Sequence, residues 1–574
     1  MSQLTKANRQ FISNFKISDL TTKAKRDLIL SILRSTTTKR EAKIFLNKYQ
    51  DQFEFQHSSH RNLSRDVRCF TSKENQSNVI EKYMRSINSA AKAQRNGNSN
   101  HSKVVLRVAL FKITMSSNIQ EDYKGIADTL NRLVQLGVSP IVVCGLEDVS
   151  GRSFKLASSY LSEQVELLLQ FLLNADVNGF KPIQTSLTRS LLKEVNGCVS
   201  AEMIEQVLIP MHQGTIPIVF PIVYNAHDGL QRFIEPKDAM YHICLALTEC
   251  NTMLSVEKVV FIEPLGGIPS IERNQTSHVF INLSQEITDI ISELYIGHLD
   301  PISRDIHLAN LESLSDILNL VSERTHTDET TGIITTPSVL SLNDDQLNPV
   351  VYNVLTDRPV ISSSLPSALQ RTPQISTSIV KKGFEVTVLD RDCYEEEFKL
   401  ENLVKSKLLD KDKLVNLLID SFGKNLRTDA YLDRIEYSIA TLIIVGDYEG
   451  AAIVTWEELN NGDKVAYLDK FAIAKRNQGI PGLADVIFKL ITQSHQGELL
   501  WRSRANNPVN KWYFERCRGC SRTPRSPWMF FYTGEIYNRR MGTKLDGSEQ
   551  SKIDITEKLQ LYSDLVENLE ASFY

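Results

Sequence analysis

Residues 464–488 read KVAYLDKFAIAKRNQGIPGLADVIF, and residues 499–516 read LLWRSRANNPVNKWYFER. The first stretch predicts a strand, a glycine-bearing turn and a helix. The second predicts another strand, an Asn/Pro turn and an aromatic helix. This order places the N–H groups of a helix N-terminus beside Lys, Arg, Asn and Tyr side chains. Such a site suits a large anionic cofactor with a small polar substrate held next to it.

The turn after the first strand contains Gly479, Pro481 and Gly482. Glycine lets the backbone approach a ligand closely, and proline suits a first helical turn because its missing N–H would have no partner there. The helix N-terminus then offers N–H donors and a positive dipole end to a pyrophosphate. Taken alone, the turn is equally consistent with an ordinary loop. It has neither the spacing of a P-loop nor the G-x-G-x-x-G pattern of a dinucleotide-binding turn.

Cationic side chains cluster around the second strand. Arg502 and Arg504 alternate along it, so both point to one face of the sheet. With Lys424 and Lys470 they could hold carboxylates, which a guanidinium binds through two parallel hydrogen bonds. Solvated surface charge is the alternative for some of them. Tyr513 follows in the aromatic helix, where composition alone favours a core side chain.

The order of these elements resembles the Gcn5-related N-acetyltransferases, whose pyrophosphate turn reads Q/R-x-x-G-x-G/A. Arg476 and Gly479 match the first two anchors, whereas Pro481 stands at the last one and Gly482 follows one place later. The motifs YLDKFAI, WRSRANNPVNKWYF and SFGKNL more specifically resemble the N-acetylglutamate synthases of the fungal and vertebrate type. The stretch TTTKREAKIFLNKY at 36–49 resembles the fungal mitochondrial amino-acid acetyltransferases of that family. The resemblance spans nearly the whole chain.

This resemblance implies that the amine of L-glutamate attacks the thioester of acetyl-CoA directly in a ternary complex, without a metal. The glutamate site it implies consists of Lys424, Lys470, Arg502, Arg504 and Asn507. The acetyl-CoA site it implies consists of Phe471, Ala472, Ile473, Arg476, Gln478, Gly479, Gly482 and Leu483. Tyr513 and Asn507 are the implied catalytic residues. A phenol with an ordinary pKa of about 10 is protonated at neutral pH and can donate a proton to the departing thiolate.

The N-terminal half predicts a separate α/β domain. Four apolar strands alternate there with helical patterns, which indicates a mainly parallel sheet covered on both faces. They are VVLRVALFKI (104–113), PIVVCG (140–145), TIPIVFPIVY (215–224) and KVVFIEPLGGI (258–268). Their order resembles the amino-acid kinase fold. Active kinases of that fold have glycine-rich phosphate loops after the first two strands, but FKITMSSN and CGLEDVSGRS lack glycine clusters.

We therefore predict that this domain is a regulatory module, and the resemblance implies that L-arginine binds it as an inhibitor. Two alternatives remain open. One is an ATP-dependent amino-acid kinase with an appended domain. The other is a non-catalytic, arginine-sensing partner of N-acetylglutamate kinase. The resemblance also implies self-association and a complex with N-acetylglutamate kinase.

Composition places few limits on the function. The 574 residues carry a net charge of −4 and are 42% hydrophobic, which argues against nucleic acid or membrane as partners. The predicted fold class is α/β, with an open, mainly parallel amino-acid-kinase-like domain followed by a smaller mixed N-acetyltransferase domain. The predicted divisions are a targeting segment at 1–35, a kinase-like domain at 36–365, a linker at 366–380, an acetyltransferase domain at 381–552 and a helical tail at 553–574.

Two local features complete the prediction. Residues 1–50 contain eleven Lys and Arg against three Asp and Glu, a bias typical of a mitochondrial presequence, so the matrix is the expected location. A basic disordered tail is the alternative. Cys517 and Cys520 form a lone C-x-x-C, for which two loop thiols are favoured over half a zinc site or a redox pair.

Overall fold

The computed structural model describes residues 106–146, 153–173, 183–250, 254–273, 276–297, 299–341, 348–365, 375–391, 394, 397–534 and 555–574. The predicted targeting segment at 1–35 lies outside these residues. So does most of the predicted linker at 366–380, and the predicted domain boundaries therefore stay predictions. Within the described part of the chain, no helix combines the length and the apolar character needed to cross a bilayer.

The chain forms two compact units. The first contains the described residues of Met1–Ile281, Asp289–Val360 and Gln374–Lys382. The second contains those of Asn282–Thr288, Ile361–Pro373 and Gly383–Tyr574.

An eight-stranded sheet is the centre of the first unit, in the order β10-β12-β11-β9-β1-β2-β6-β3, with a smaller sheet ordered β5-β4-β7-β8. The strands are β1 Leu106–Met115, β2 Val138–Leu146, β3 Thr185–Thr188, β4 Leu192–Val195, β5 Cys198–Ala201, β6 Ile216–Val219, β7 Ile222–Asn225, β8 Gln231–Phe233, β9 Leu254–Ile262, β10 Phe280–Asn282, β11 Thr331–Thr335 and β12 Ser378–Lys381. The helices are α1 Tyr123–Gln135, α2 Phe154–Leu173, α3 Glu205–His212, α4 Pro236–Glu249, α5 Leu283–Ile296, α6 Pro301–Thr325, α7 Pro337–Leu340 and α8 Pro349–Thr356.

The predicted parallel sheet is present. Strands β11, β9, β1, β2, β6 and β3 pair in parallel through the middle of the large sheet. Their side chains are buried along almost the whole length of β1, β2 and β9, which is why the sequence shows continuous apolar runs there. The predicted α/β class is confirmed for this unit.

The prediction of one strand over TIPIVFPIVY is wrong. The segment forms β6 in the large sheet and β7 in the small sheet. Pro221 separates them, and the Ile222 N–H donates to the carbonyl of Phe220 in a tight turn, 2.8 Å away. Proline cannot continue the β6 hydrogen-bond ladder, so the chain changes sheet at this point.

The second unit contains a seven-stranded sheet in the order β13-β14-β15-β16-β17-β19-β18. Its strands are β13 Val386–Asp390, β14 Ile439–Val445, β15 Gly450–Glu458, β16 Lys464–Ile473, β17 Glu498–Arg504, β18 Gly519–Arg522 and β19 Trp528–Gly534. Its helices are α9 Leu400–Lys405, α10 Lys411–Phe422, α11 Thr428–Ile435, α12 Leu483–Ser494, α13 Asn510–Arg516 and α14 Ile555–Asn568. Residues 400–422 thus contain two helices, α9 and α10, separated by a short turn.

Helices cover both faces of this second sheet. On one face, called the α12 face, helices α12 and α13 pack on Leu468, Leu499 and Trp501. On the opposite face, called the α14 face, α9, α10 and α11 form one apolar cluster and α14 forms another. In the α14 cluster, Tyr562 and Val566 are fully buried against the sheet. The tail predicted to be helical thus contains helix α14, whose apolar side packs on the sheet.

Among the described strands of this sheet, β16 and β17 form the only parallel pair, and they pair over a short length. The recorded pairs are Ala466 with Leu499 and Tyr467 with Leu500, although β16 continues to Ile473 and β17 to Arg504. Beyond these pairs β16 keeps its partner β15 and β17 keeps its partner β19. The sheet is therefore divided between the carboxyl-terminal ends of β16 and β17.

Candidate active site

The predicted pyrophosphate turn leaves the carboxyl end of β16 and opens helix α12. Gly479 and Gly482 have φ angles of 99° and 86°, a left-handed conformation that a side chain would strain. Gly482 is the N-cap residue of α12 and offers no side chain to cap the helix. The first-turn N–H groups of α12 can therefore serve an anionic ligand.

Helix α10 and the turn itself fix the last residue of β16. The Ile473 N–H donates to Ser421 Oγ at 3.1 Å, and the Gln478 side-chain amide donates to the Ile473 carbonyl at 3.1 Å. The Lys475 N–H donates to Asp420 Oδ2 at 2.7 Å. Among the predicted cofactor contacts on β16, Ile473 thus has both backbone groups bound within the protein. The Ala474 N–H donates to the Glu449 carbonyl at 2.9 Å, so by alternation the backbone groups of Ala472 face Ala451 of β15. Phe471 is therefore the better candidate for pairing with a ligand.

A buried ionic cluster lies on the α14 face, where β16 bulges. The register against β15 shifts between Leu468 and Lys470, so Asp469 is the additional residue of the bulge. Asp469 Oδ2 accepts hydrogen bonds from Lys470 Nζ at 2.6 Å and from the Tyr431 hydroxyl at 2.8 Å. Arg434 binds the other carboxylate oxygen.

Two carboxylates balance the two cations of this cluster, because Asp469 binds both Lys470 and Arg434 and Glu457 binds Arg434 Nη1 at 2.8 Å. Burial alone would raise the pKa of Asp469, but Lys470 and Arg434 outweigh burial and hold this pKa below its ordinary value. Burial lowers the pKa of Lys470, and the nearby Arg434 and Arg502 act in the same direction. Arg502 beside the cluster adds a surplus positive charge, which suits an anionic substrate.

Arg502 lies on the same α14 face as Lys470 but has different hydrogen-bond partners. Its Nη1 donates to the carbonyls of Val566 at 2.6 Å and Leu569 at 2.8 Å, and its Nη2 donates to the Glu570 carbonyl at 3.1 Å. These carbonyls belong to the last turn of α14 and the residues after it, where a cation is favourable. The guanidinium also lies 4.4 Å from the centre of the Trp528 ring.

The remaining predicted cations are more exposed. Arg504 stacks on the same ring, 5.8 Å from Trp528, so the two arginines share one face as predicted. Lys424 is exposed and directly follows Gly423, which ends α10 in the left-handed conformation. Arg476 is exposed in the turn and donates through Nε to Asn477 Oδ1 at 3.1 Å.

Tyr513 lies on the α12 face. Its ring packs against Trp501 and Phe531, with centroids 5.7 Å and 5.4 Å away. Burial raises the pKa of Tyr513 to about 12. Its hydroxyl has no hydrogen-bond partner among the residues that the structure describes. Asn507 is exposed in the preceding turn, where its Oδ1 accepts from the Val509 N–H at 3.2 Å and helps to begin α13.

The predicted residues thus gather at one place, on two faces of the sheet. The glycine turn and Tyr513 lie on the α12 face, and Lys470 and Arg502 lie on the α14 face. The division between β16 and β17 is where a ligand can reach from one face to the other. The sequence prediction missed Asp469, although it belongs to the YLDKFAI motif, and it missed Tyr431 and Arg434.

On the α12 face, the buried Arg516 side chain joins three segments of the chain. Arg516 is 2% exposed and donates to Asp485 Oδ1 at 2.9 Å, Ser362 Oγ at 2.6 Å and Ser364 Oγ at 2.7 Å. Its guanidinium lies 3.8 Å from the centre of the Trp512 ring. The segment around Ser362 is thereby bound to the first turn of α12 and to α13.

Replacement of Arg516 by glutamine should destabilise the second unit by about 3 kcal/mol, because it leaves a partly buried carboxylate without its cation. Asp485 keeps 21% of its side chain exposed, which places the expected cost at the low end for such a pair. Urea denaturation of the full chain measures the loss. The change Asp485→Asn alone and the double variant complete a mutant cycle. If Arg516→Gln lowers the free energy of unfolding equally in the wild-type and Asp485→Asn backgrounds, the ion pair is not the cause of the loss.

In the first unit, a short 3-10 helix at Ser117–Asp122 follows β1, and the end of the strand carries a buried polar cluster. Lys112 Nζ lies 2.5 Å from Glu263 Oε1 and donates to Asn310 Oδ1 at 2.8 Å, all buried. Thr114 also donates to Glu263, at 3.0 Å. Lys112 is thus paired with a buried carboxylate.

The C-x-x-C thiols are not joined. Both Cys517 and Cys520 are free, and burial raises the pKa of Cys517 to about 12, which disfavours its thiolate form. Within the described residues, no group of three or more His, Cys, Asp or Glu side chains is placed to hold a metal ion.

Comparison with known proteins identifies close relatives. The model of the N-acetyltransferase domain of N-acetylglutamate synthase matches residues 399–569. The mitochondrial amino-acid acetyltransferase of Scheffersomyces stipitis is 51% identical, covering 100% of this chain and 99% of that protein. The Candida albicans protein of the same name is 49% identical, with 100% of both chains covered. Among solved structures, N-acetylglutamate synthase from Neisseria gonorrhoeae, complexed with coenzyme A and L-arginine, has a TM-score of 0.36 at 13% identity, covering 75% of this chain and 95% of that chain.

Proposed function

The chain belongs to the family of mitochondrial amino-acid acetyltransferases, and from this we propose that it transfers the acetyl group of acetyl-CoA to the amine of L-glutamate. N-acetyltransferase activity is the property of the family. The acceptor, the roles of individual residues and the regulation are our proposal. The observation that carries it is the division between β16 and β17, because a helix N-terminus suited to a pyrophosphate lies at one face and surplus cations lie at the other.

The acceptor site would recognise both carboxylates of glutamate. A guanidinium has five N–H donors, and Arg502 uses three of them on backbone carbonyls. Its Nε–H and one Nη2 proton remain, and they share one edge of the group. That edge matches the two oxygens of a carboxylate. Lys424 and Arg504 are the candidates for the second carboxylate, since both are exposed beside this face.

The transfer step needs one new bond and one broken bond. The glutamate nitrogen forms a bond to the acetyl carbon, and the bond between that carbon and the CoA sulfur breaks. The glutamate ammonium first loses one proton to solvent, and the free amine attacks. The sulfur leaves with the electron pair and takes a proton from the Tyr513 hydroxyl. The nitrogen then releases its second proton to solvent, which returns one to Tyr513. The pyrophosphate would lie on the first turn of α12, at Gly482 and Leu483, with Arg476 beside it.

A thiol-release assay on the full chain tests the proposal. Acetyl-CoA is supplied with L-glutamate, L-glutamine, L-aspartate or N-acetylglutamate with ATP, each with and without L-arginine. Glutamate should release CoA, and mass spectrometry should identify N-acetylglutamate as the product. Release with none of the amino acids would refute the acetyltransferase proposal. ADP formation from ATP and N-acetylglutamate would favour the kinase alternative instead.

The turnover number should not fall as the pH is raised above neutrality. Because burial raises the pKa of Tyr513 to about 12, the hydroxyl keeps its proton throughout the range from pH 7 to about pH 10. We expect kcat at saturating glutamate to show no fall over this range. Turnover that declines with an apparent pKa near 10, the ordinary value for tyrosine, would contradict the proposed donor.

The family resemblance also supports regulation and location. We propose that L-arginine inhibits the enzyme through the first unit, in which Lys112 is paired with Glu263 in the interior. The mitochondrial matrix, self-association and a complex with N-acetylglutamate kinase are proposed on the same basis. Arginine should lower thiol release without being acetylated itself, which the assay above measures directly.

A further inference from the structure

The segment that follows α14 crosses the α14 face of the sheet. Helix α14 belongs to one apolar cluster of this face, and Phe573 packs on the other, with its ring centroid 4.6 Å from that of Phe422. Backbone hydrogen bonds hold the segment in place. The Arg427 N–H donates to the Ser572 carbonyl at 2.9 Å, and the Tyr574 N–H donates to the Asn425 carbonyl at 3.1 Å.

On its way the segment meets both cations of the proposed acceptor site. Its first residues contribute the Leu569 and Glu570 carbonyls, which bind Arg502. Farther on, Ser572 Oγ accepts a hydrogen bond from Lys470 Nζ at 3.1 Å, across 102 residues of sequence. The Phe573 ring lies 5.8 Å from the same ammonium group.

Lys470 has no donor left for a substrate in this arrangement. An ammonium group has three protons, and its three acceptors here are Asp469 Oδ2 at 2.6 Å, the Asp469 carbonyl at 3.2 Å and Ser572 Oγ at 3.1 Å. Lys470 is also only 7% exposed. A direct bond from this lysine to glutamate would therefore have to replace one of these three.

The Ser572 hydroxyl, in contrast, can still donate a hydrogen bond. A hydroxyl that accepts from an ammonium still has one O–H donor, and the Ser572 hydroxyl donates to no residue within the described part of the chain. Because Ser572 is half-buried, this donor can reach a ligand on the same face as Arg502. Polarisation by the ammonium group strengthens it as a donor.

We infer that Ser572 is a binding residue for the amino-acid substrate, accepting a hydrogen bond from Lys470 and donating its hydroxyl proton to a substrate carboxylate. The inference rests on the proposed function, because it assigns a carboxylate to this face. In this arrangement Lys470 acts on the substrate through Ser572. The carbonyls of Leu569 and Glu570 orient the Arg502 guanidinium for the same substrate.

The test compares three serine variants of the full-length protein. Ser572→Ala removes the donor and should raise KM for glutamate about tenfold, with kcat and KM for acetyl-CoA changed less than about twofold. Ser572→Thr keeps a hydroxyl and should restore most of the affinity. Ser563→Ala is the matched control, since Ser563 is a buried serine of α14 whose hydroxyl has no hydrogen-bond partner among the described residues. This control should leave all three constants unchanged.

Two results would overturn the inference. One is a KM for glutamate that stays the same or falls in Ser572→Ala. The other is an equal loss in kcat and in the affinity for both substrates, which would show a purely structural role.

Calorimetric titration of L-glutamate into protein with CoA separates this test from the proposed function. Wild-type protein that binds glutamate more tightly than Ser572→Ala, yet releases no CoA, would refute the proposed function and support the binding role. Equal or undetectable binding by both proteins would refute the binding role.

Discussion

Replacement of Tyr513 by phenylalanine is expected to lower kcat for glutamate acetylation by about 100-fold or more. A positioned general acid contributes on the order of 10²–10⁴ to a rate, and phenylalanine keeps the packing against Trp501 and Phe531 while removing the only ionisable atom. KM for glutamate should stay within about threefold, since the glutamate cations lie on the other face of the sheet. Steady-state kinetics with both substrates varied measures this split.

Tyr562→Phe is the matched control for this variant. Tyr562 is a fully buried tyrosine on the α14 face, where its hydroxyl donates to Glu498 Oε2 at 2.9 Å. The same atom is removed there, so a general effect of losing a buried hydroxyl would appear in both variants. We expect Tyr562→Phe to keep kcat within about twofold. Tyr513→Phe with wild-type turnover would remove Tyr513 from the mechanism.

The parts of the fold that the sequence predicts are those where one physical signal dominates. Strands β1, β2 and β9 are buried on both faces, so their apolar runs are continuous and easy to recognise. Helix α6 gave no such signal, although it spans 25 residues. Its buried positions include His307, Asn310 and Ser315, which make the inward side look polar. Tertiary contacts, which a single sequence does not display, determine that side.

Local sequence rules likewise predict some parts of the candidate site and not others. The glycine turn and the alternation of Arg502 with Arg504 follow from local rules, and the structure has both. The position of Asp469 depends on a register shift against β15, which no local pattern of β16 specifies. The contact between Ser572 and Lys470 joins residues 102 positions apart. Their pairing depends on where α14 packs, so the sequence alone could not place Ser572 in the site.

Replacement of Arg502 by lysine is expected to lower kcat/KM for glutamate about 100-fold, mainly through KM. Lysine keeps the charge but has no planar edge with two parallel donors, and it cannot also reach the three carbonyls that orient the guanidinium. The loss of a bidentate bond in a site with few other donors corresponds to roughly 3 kcal/mol. KM for acetyl-CoA should remain within about twofold, since the predicted pyrophosphate turn lies on the α12 face.

Arg518→Lys is the control, because Arg518 also donates to a backbone carbonyl, that of Gly534 at 3.0 Å, and lies outside the proposed site. Comparison of glutamate with glutamine then identifies which carboxylate Arg502 binds. If it binds the side-chain carboxylate, the variant should lose its preference for glutamate over glutamine. If it binds the α-carboxylate, the rates with both amino acids should fall by the same factor. An unchanged KM for glutamate in Arg502→Lys would contradict the acceptor site itself, since Arg502 is the cation on which the recognition of glutamate most depends.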